Sequence, residues 1–278
     1  LRPSSGPVGG GTRVQVVEGR ASEATELACR FGDKVAVAQR GLDGALFCES
    51  PPRQGEGGVV TFRMLLGAEK LEADDTMMFE YAGISTVRRL SPERGAQAGG
   101  TLVRVEGSGF GGDEVQCRFG THIVAGRGAN LVSSTLVHCI APFSGSLGEV
   151  NVDVSMNGGA DFTGYGKKFV YDRGATVTAL LPSMGRSGLN DHIVTVQGRH
   201  FEASNELRCQ FGDVQATVAK FVSSSTVVCS LPARGEGTAV VSVSNNGVDY
   251  DMGVHFKHLN AVKILSITPT MSPAAGGG

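Results

Sequence analysis

Tryptophan is absent from the 278 residues, and only 4 are tyrosine. Rings on which a sugar could stack are therefore scarce, which weighs against a carbohydrate-binding module. No charge of one sign dominates either: 25 Lys and Arg stand against 27 Asp and Glu, a net charge of −2. The basic residues are scattered, and their densest pairs are Arg88-Arg89 and Lys167-Lys168. A protein that tracks a phosphate backbone needs a basic face or stripe, so no nucleic-acid partner is expected. No apolar run approaches the roughly 18 to 20 residues that cross a bilayer, so no direct membrane span is expected. The chain carries no N-x-S/T sequon.

What is abundant is glycine, 41 residues, beside a hydrophobic share of 41%. The hydrophobic share is enough for packed cores and argues against disorder. Glycine without a three-residue period points to many turns between short strands, an all-β composition. The length suits two or three domains.

Self-comparison resolves the organisation. Cys29-Arg30-Phe31-Gly32 recurs as Cys117-Arg118-Phe119-Gly120 and as Cys209-Gln210-Phe211-Gly212. A second cysteine follows 19, 22 and 20 residues later, at Cys48, Cys139 and Cys229. Ahead of each pair lies an alternating strand, Val14-Gln15-Val16, Val103-Arg104-Val105 and Val194-Thr195-Val196, with a glycine after it at Gly19, Gly107 and Gly198. Period two sends the valines to one face, as in a half-buried strand. Val150, Val152 and Val154 repeat the pattern before Asn157-Gly158, and Ala239, Val241 and Val243 before Asn246-Gly247. Asn-Gly favours positive φ at both central positions, so each pair predicts a hairpin turn. Each repeat closes on an aromatic strand, Phe79-Glu80-Tyr81, Phe169-Val170-Tyr171 and Phe256-Lys257-His258.

The expected architecture is all-β: three tandem immunoglobulin-like β-sandwiches at 1–82, 83–173 and 174–260, with the start of a fourth repeat at 261–278. Units of this length can each close a core, unlike the shorter repeats of a solenoid. Joints are six residues long from Tyr81 to Val87 and from Tyr171 to Val177, which leaves little slack and predicts neighbouring domains in contact. The opening Leu1-Arg2-Pro3-Ser4-Ser5-Gly6 has neither a starting Met nor an apolar segment, and Pro269 with Gly276-Gly277-Gly278 resembles Pro92 with Gly99-Gly100. Both ends are expected to belong to a longer protein.

The six cysteines fall into three equivalent pairs, Cys29 with Cys48, Cys117 with Cys139, and Cys209 with Cys229. Metal sites bring ligands closer together or add histidines at matching positions, and neither occurs. Two readings remain: disulfides, which the strict pairing favours and which persist in oxidising compartments, and reduced thiols buried as core residues. As disulfides, each would stabilise its repeat by roughly 3 kcal/mol on the chain-entropy model.

The second repeat carries the family resemblance. Pro92-x-x-Gly95, Gly99-Gly100-Thr101, Val103-x-Val105-x-Gly107-x-Gly109-Phe110, Val115-x-Cys117-x-Phe119-Gly120, Cys139-x-Ala141-Pro142 and Val152-x-Val154-Ser155-x-Asn157-Gly158 resemble an IPT/TIG domain. That family has an immunoglobulin-like fold and occurs in plexins, Met-type receptors, fibrocystin-like surface proteins and some transcription factors. The resemblance covers nearly the whole chain, good in the third repeat and partial in the first. Gly99-Gly100-Thr101 becomes Asn190-Asp191-His192, Gly109-Phe110 becomes His200-Phe201, Ala21 stands near the place of Phe110, and Val59 to Leu66 has no Asn-Gly.

Sharper functional readings fare poorly. Gly107-Ser108-Gly109-Phe110-Gly111-Gly112 spells G-x-G-x-x-G, but a dinucleotide site needs a helix directly afterwards, and Val115 to Phe119 reads as strand. There is no H-E-x-x-H and no nucleophile-elbow serine, and the histidines, His122, His138, His192, His200, His255 and His258, recur at no common position. His255 and His258 are expected to be solvated or at an interface. Asp33, Asp213 and the pair Asp74-Asp75 read as turn aspartates, short of the converging oxygens that calcium requires. The expectation is therefore no enzyme, no cofactor and no metal. A non-catalytic extracellular or cell-surface structural or interaction module is expected, a rigid tandem array within a larger surface or filament protein, with neighbouring domains and other surface proteins or subunits as partners. The alternative is the ligand-binding ectodomain of a plexin-like receptor or adhesion protein.

Overall fold

The computed structural model describes residues 1–16, 27–66, 69–70, 77–186, 193–260, 265–266, 268 and 271. Gly19, Ala21, Asp74, Asp75, Asn190, Asp191, His192 and nearly all of the expected fourth repeat lie outside them. The chain divides into two compact units, Leu1–Arg173 and Gly174–Gly278. Among the described residues the helical content is a single 3-10 turn, Gly126–Gly128. The rest is strand and turn.

In the second repeat two sheets face each other. One runs Arg94–Ala96, Lys167–Asp172, Gly148–Ser155, Gln116–Phe119, His122–Ala125; the other runs Ala129–Ser133, Leu136–Ile140, Leu102–Ser108, Thr86–Ser91. The first of these pairings is parallel and the others are antiparallel. Alternation decides what lies between the sheets: Val103, Val105, Cys117, Phe119, Val137, Cys139, Val152 and Phe169 all join one buried cluster. The third repeat has the same plan, five strands from Met184–Arg186 to Thr217–Val218 facing four from Thr176–Leu181 to Lys220–Ser223. Its core is separate.

The first repeat departs from that plan: a single bridge from Arg2 to Gln15 stands where the second has Thr86–Ser91, Glu69–Lys70 adds a short strand on Gly58–Leu66, and one strand serves both sheets. In the second repeat the chain leaves one sheet after Ala125, makes the 3-10 turn, and enters the other at Ala129. In the first, the unbroken strand Lys34–Arg40 pairs with Leu27–Phe31 through residues 34–37 and with Leu46–Glu49 through residues 38–40. The two sheets are thereby joined along one path, around a third core containing Val14, Cys29, Phe31, Cys48, Phe62 and Phe79.

The glycine-rich string is explained by packing. A Cβ on Gly107 would lie 2.0 Å from Thr86 O and 2.4 Å from Phe110 Cζ, and Gly198 stands in the same relation to Thr176 O and Phe201 Cζ. The glycine is the floor beneath a buried ring. Gly109 has φ 73° and His200 takes the matching position at φ 60°, a conformation that histidine tolerates better than most side chains.

The Asn-Gly pairs are not two-residue hairpins. Strand Gly148–Ser155 reaches Lys167–Asp172 through a long loop, in which Gly158 and Gly159 hold positive φ and Asn157 does not. The reason is that the asparagine is anchored: Asn157 and Asn246 are buried, and each accepts from the serine two residues earlier. The loop after Ser155 also buries Asp153, which the alternating pattern alone would leave in solvent. There Asp153 meets Arg118 at 3.0 Å and accepts from Thr163 Oγ1 at 3.2 Å.

Candidate interaction site at the junction of the first two repeats

Each cysteine pair spans two facing strands. Cys29 is bonded to Cys48, Cys117 to Cys139 and Cys209 to Cys229, with Cα separations of 6.2, 6.1 and 6.0 Å, and no described cysteine is free. All six are fully enclosed. In the second repeat the bond ties Gln116–Phe119 of one sheet to Leu136–Ile140 of the other. Beside each bond the closing strand adds edge-to-face ring pairs: Phe79 with Tyr81 at 5.1 Å, Phe169 with Tyr171 at 5.1 Å, Phe256 with His258 at 5.0 Å. Such pairs contribute about 0.5–1.5 kcal/mol beyond burial. The tyrosines also find polar partners, Tyr81 Oη donating to Pro51 O at 2.9 Å and Tyr171 Oη to Pro142 O at 3.0 Å. Burial pushes the Tyr171 phenol up to about 12. Tyr81 is raised chiefly by burial, with Arg53 opposing and Asp33 adding.

His258 corrects the sequence expectation. It is wholly buried, while His255 lies exposed on the other face of the strand. Period two puts Phe256 and His258 on the inner face together. No described group of three His, Cys, Asp or Glu side chains could hold a metal ion, and no described helix is long and apolar enough to cross a membrane.

Polar side chains of the first two repeats converge at their junction. Asp161 Oδ2 accepts from Thr12 Oγ1 at 2.7 Å and from Asn157 Nδ2 at 2.8 Å. Asn157 Nδ2 also donates to Ser5 O at 3.0 Å, and its Oδ1 accepts from Ser155 Oγ at 2.9 Å and from Asp161 N at 3.0 Å. Both donors and both lone pairs of the amide are used. Thr12 is fully buried, packed so closely on the edge strand Ser5–Pro7 that a Cβ on Gly6 would lie 2.0 Å from its Oγ1. On the linker, Ser85 Oγ donates to Gly109 O at 2.7 Å. Around this lock opens a groove of about 630 Å³, bordered by the edge strand Ser5–Pro7, the linker Gly83–Ser85, Gly109–Gly112, Met156 and Phe162. Ile84 is 65% exposed at its rim, and the Phe162 ring is held by the Arg118 guanidinium 4.2 Å from its centroid.

None of Thr12, Asn157 and Asp161 stood out in the sequence as a contact between repeats. The available signal was the recurrence of Ser-x-Asn-Gly at 155–158 and 244–247, which turn chemistry alone explains.

The IPT/TIG domain model matches residues 85–171 and 175–257. The chain belongs to the IPT/TIG domain family. It is 27% identical over 151 residues to Plexin-A4 of Danio rerio, a match spanning 51% of this chain and 8% of that protein. The chain thus spans a small fraction of the curated relative it matches. Among solved structures it is similar to the Plexin A4 full extracellular region, with TM-score 0.48 and 15% identity over 93% of this chain and 24% of that one. It is also similar to SGBP-B of Bacteroides ovatus in complex with a mixed-linkage heptasaccharide, with TM-score 0.29 and 11% identity over 94% of this chain and 66% of that one.

Proposed function

We propose that this chain is a non-catalytic extracellular or cell-surface interaction module, a piece of a tandem immunoglobulin-like array that acts through spacing and lateral surface. The protein is extracellular: its disulfides are stable in an oxidising compartment. The unit of organisation is the repeat, bounded as 1–82, 83–173 and 174–260, a division supported by three separate cores each with its own disulfide. The observation that carries the reading is the Thr12–Asp161–Asn157–Ser5 lock. Thr12 and Asn157 are buried and hydrogen-bonded across the junction, so hinge motion would strand these donors at about 1–3 kcal/mol each. Neighbouring domains of the same chain are the first partners, and other surface proteins or subunits the second.

The test uses the whole chain with fluorophores in the first and second repeats. A single narrow distance distribution is expected by single-molecule energy transfer, broadening in Thr12→Val with Asp161→Ala. A broad distribution in the unaltered chain would overturn the lock.

A second reading, the ligand-binding ectodomain of a plexin-like receptor or adhesion protein, is favoured by one surface feature. Val35 and Val37, 52% and 78% exposed, point the same way from the strand that joins the two sheets of the first repeat. Apolar side chains paired in solvent suit a protein partner. Under this reading Val35→Lys with Val37→Lys abolishes partner binding and leaves the thermal midpoint unchanged.

A further inference from the structure

We propose that His258 makes the closing strand of the third repeat acid-sensitive, a response that the closing strands of the first two repeats, with Tyr81 and Tyr171 in the same slot, lack. The slot it fills is the one occupied by Tyr81 and Tyr171, last inward residue of the closing strand. There the tyrosines reach a proline carbonyl, whereas neither Nδ1 nor Nε2 of His258 has a hydrogen-bond partner, although the residue is 0% exposed. The imidazole lies edge-on to Phe256 at 5.0 Å and to Phe211 at 6.5 Å. An apolar cage accepts a neutral ring; an imidazolium there would need two acceptors that the cage does not offer.

The charged groups around the cage oppose protonation further. Arg234 approaches from the loop after Leu231, held by Asp213 at 2.7 Å and by Phe211 O at 3.3 Å. Asp213 is itself 85% exposed, and the guanidinium is the charge that acts on the imidazole. Glycines stand opposite His258 on both flanking strands, Gly185 and Gly237, with Arg186 and Glu236 beyond them. On its own strand His255 and Lys257 face outward. Burial first, then Arg234, holds the imidazole below its ordinary value of 6.5. In the unfolded chain the same group titrates near 6.5, so below that pH the unfolded state binds a proton that the folded state refuses. The stability of the third repeat is therefore complete above about 6.5 and declines as pH falls from there toward the folded value.

The consequence falls on the strand Val254–Leu259, which pairs with Gly237–Ser244 and, in parallel, with Met184–Arg186. Opening of that strand frees His258 to take up the proton that the closed cage disfavours. Transfer to a mildly acidic compartment would then loosen this closing strand and not its counterparts at residues 78–82 and 167–172.

Hydrogen exchange of the full chain between pH 7.5 and 5.0, corrected for intrinsic rates, tests this. The opening equilibrium of residues 254–259 should rise by up to about tenfold per pH unit below 6.5, with residues 78–82 and 167–172 as unchanging internal references. His258→Tyr and His258→Phe should both flatten the response, the second serving if the first does not fit. Equal protection of residues 254–259 at both pH values overturns the proposal, as does a pH response that persists in both variants.

Discussion

The closing strands of the second and third repeats differ in one inward residue, and the difference separates what the fold needs from what the slot can tolerate. Tyr171 and His258 are both buried against a phenylalanine pair partner at nearly the same distance. The sandwich needs a flat ring there. It does not need a hydroxyl. Tyr171 nonetheless uses its hydroxyl on Pro142 O, while His258 leaves two polar atoms unpaired. Two closing strands in the same place of the same topology thus differ in polar satisfaction, and a buried unmatched nitrogen costs about 1–3 kcal/mol.

The strongest way to break the comparison is to remove the staples. Cys117→Ala with Cys139→Ala, and separately Cys209→Ala with Cys229→Ala, should each cost about 2–5 kcal/mol in the affected repeat. Repeat-resolved hydrogen exchange in urea should show the loss confined to that repeat, with the third reaching global unfolding at lower denaturant. Next in size is Asp161→Ala, which strands Thr12 Oγ1 and one donor direction of Asn157. A cost of about 1–3 kcal/mol should appear as faster exchange at both flanks of the junction. The smallest effect is Tyr171→Phe, about 0.5–1.5 kcal/mol, read from the thermal midpoint of the second repeat. The phenol supplies a check of its own. Because the folded value is about 12 against 10.0 when exposed, the folded state keeps its proton longer. The contribution of Tyr171 is present below pH 10 and lost as pH rises toward 12, measurable by ultraviolet titration of tyrosinate.

Much of the fold was legible without coordinates. Val14, Val103 and Val194 were placed inward by period two and all are buried. The G-x-G-F string was rightly denied a helix, but its true role, a glycine floor under Phe110, depends on a distance no spacing reveals. Two expectations failed for identifiable reasons. Asn157-Gly158 was read as a hairpin because local turn propensity was the only information available; the amide's partners at Ser5 and Asp161 lie far away or in the following loop. His258 reads in the sequence as solvated or at an interface, although the same alternation that buries Phe256 buries it too.

The candidate site was less legible than the core, and the physics of the two explains why. Burial of apolar side chains is non-directional and leaves a periodic trace along the chain. A lock made of one threonine, one asparagine and one aspartate depends on hydrogen-bond angles across residues separated by 149 and 152 positions, and directional bonds over such separations leave no periodicity. The amino-acid sequence by itself determined the repeat, the inward faces and the pairing partners of the cysteines as a preference. Only the tertiary structure decided which polar groups meet, since that depends on where the strands and the joint place each donor and acceptor.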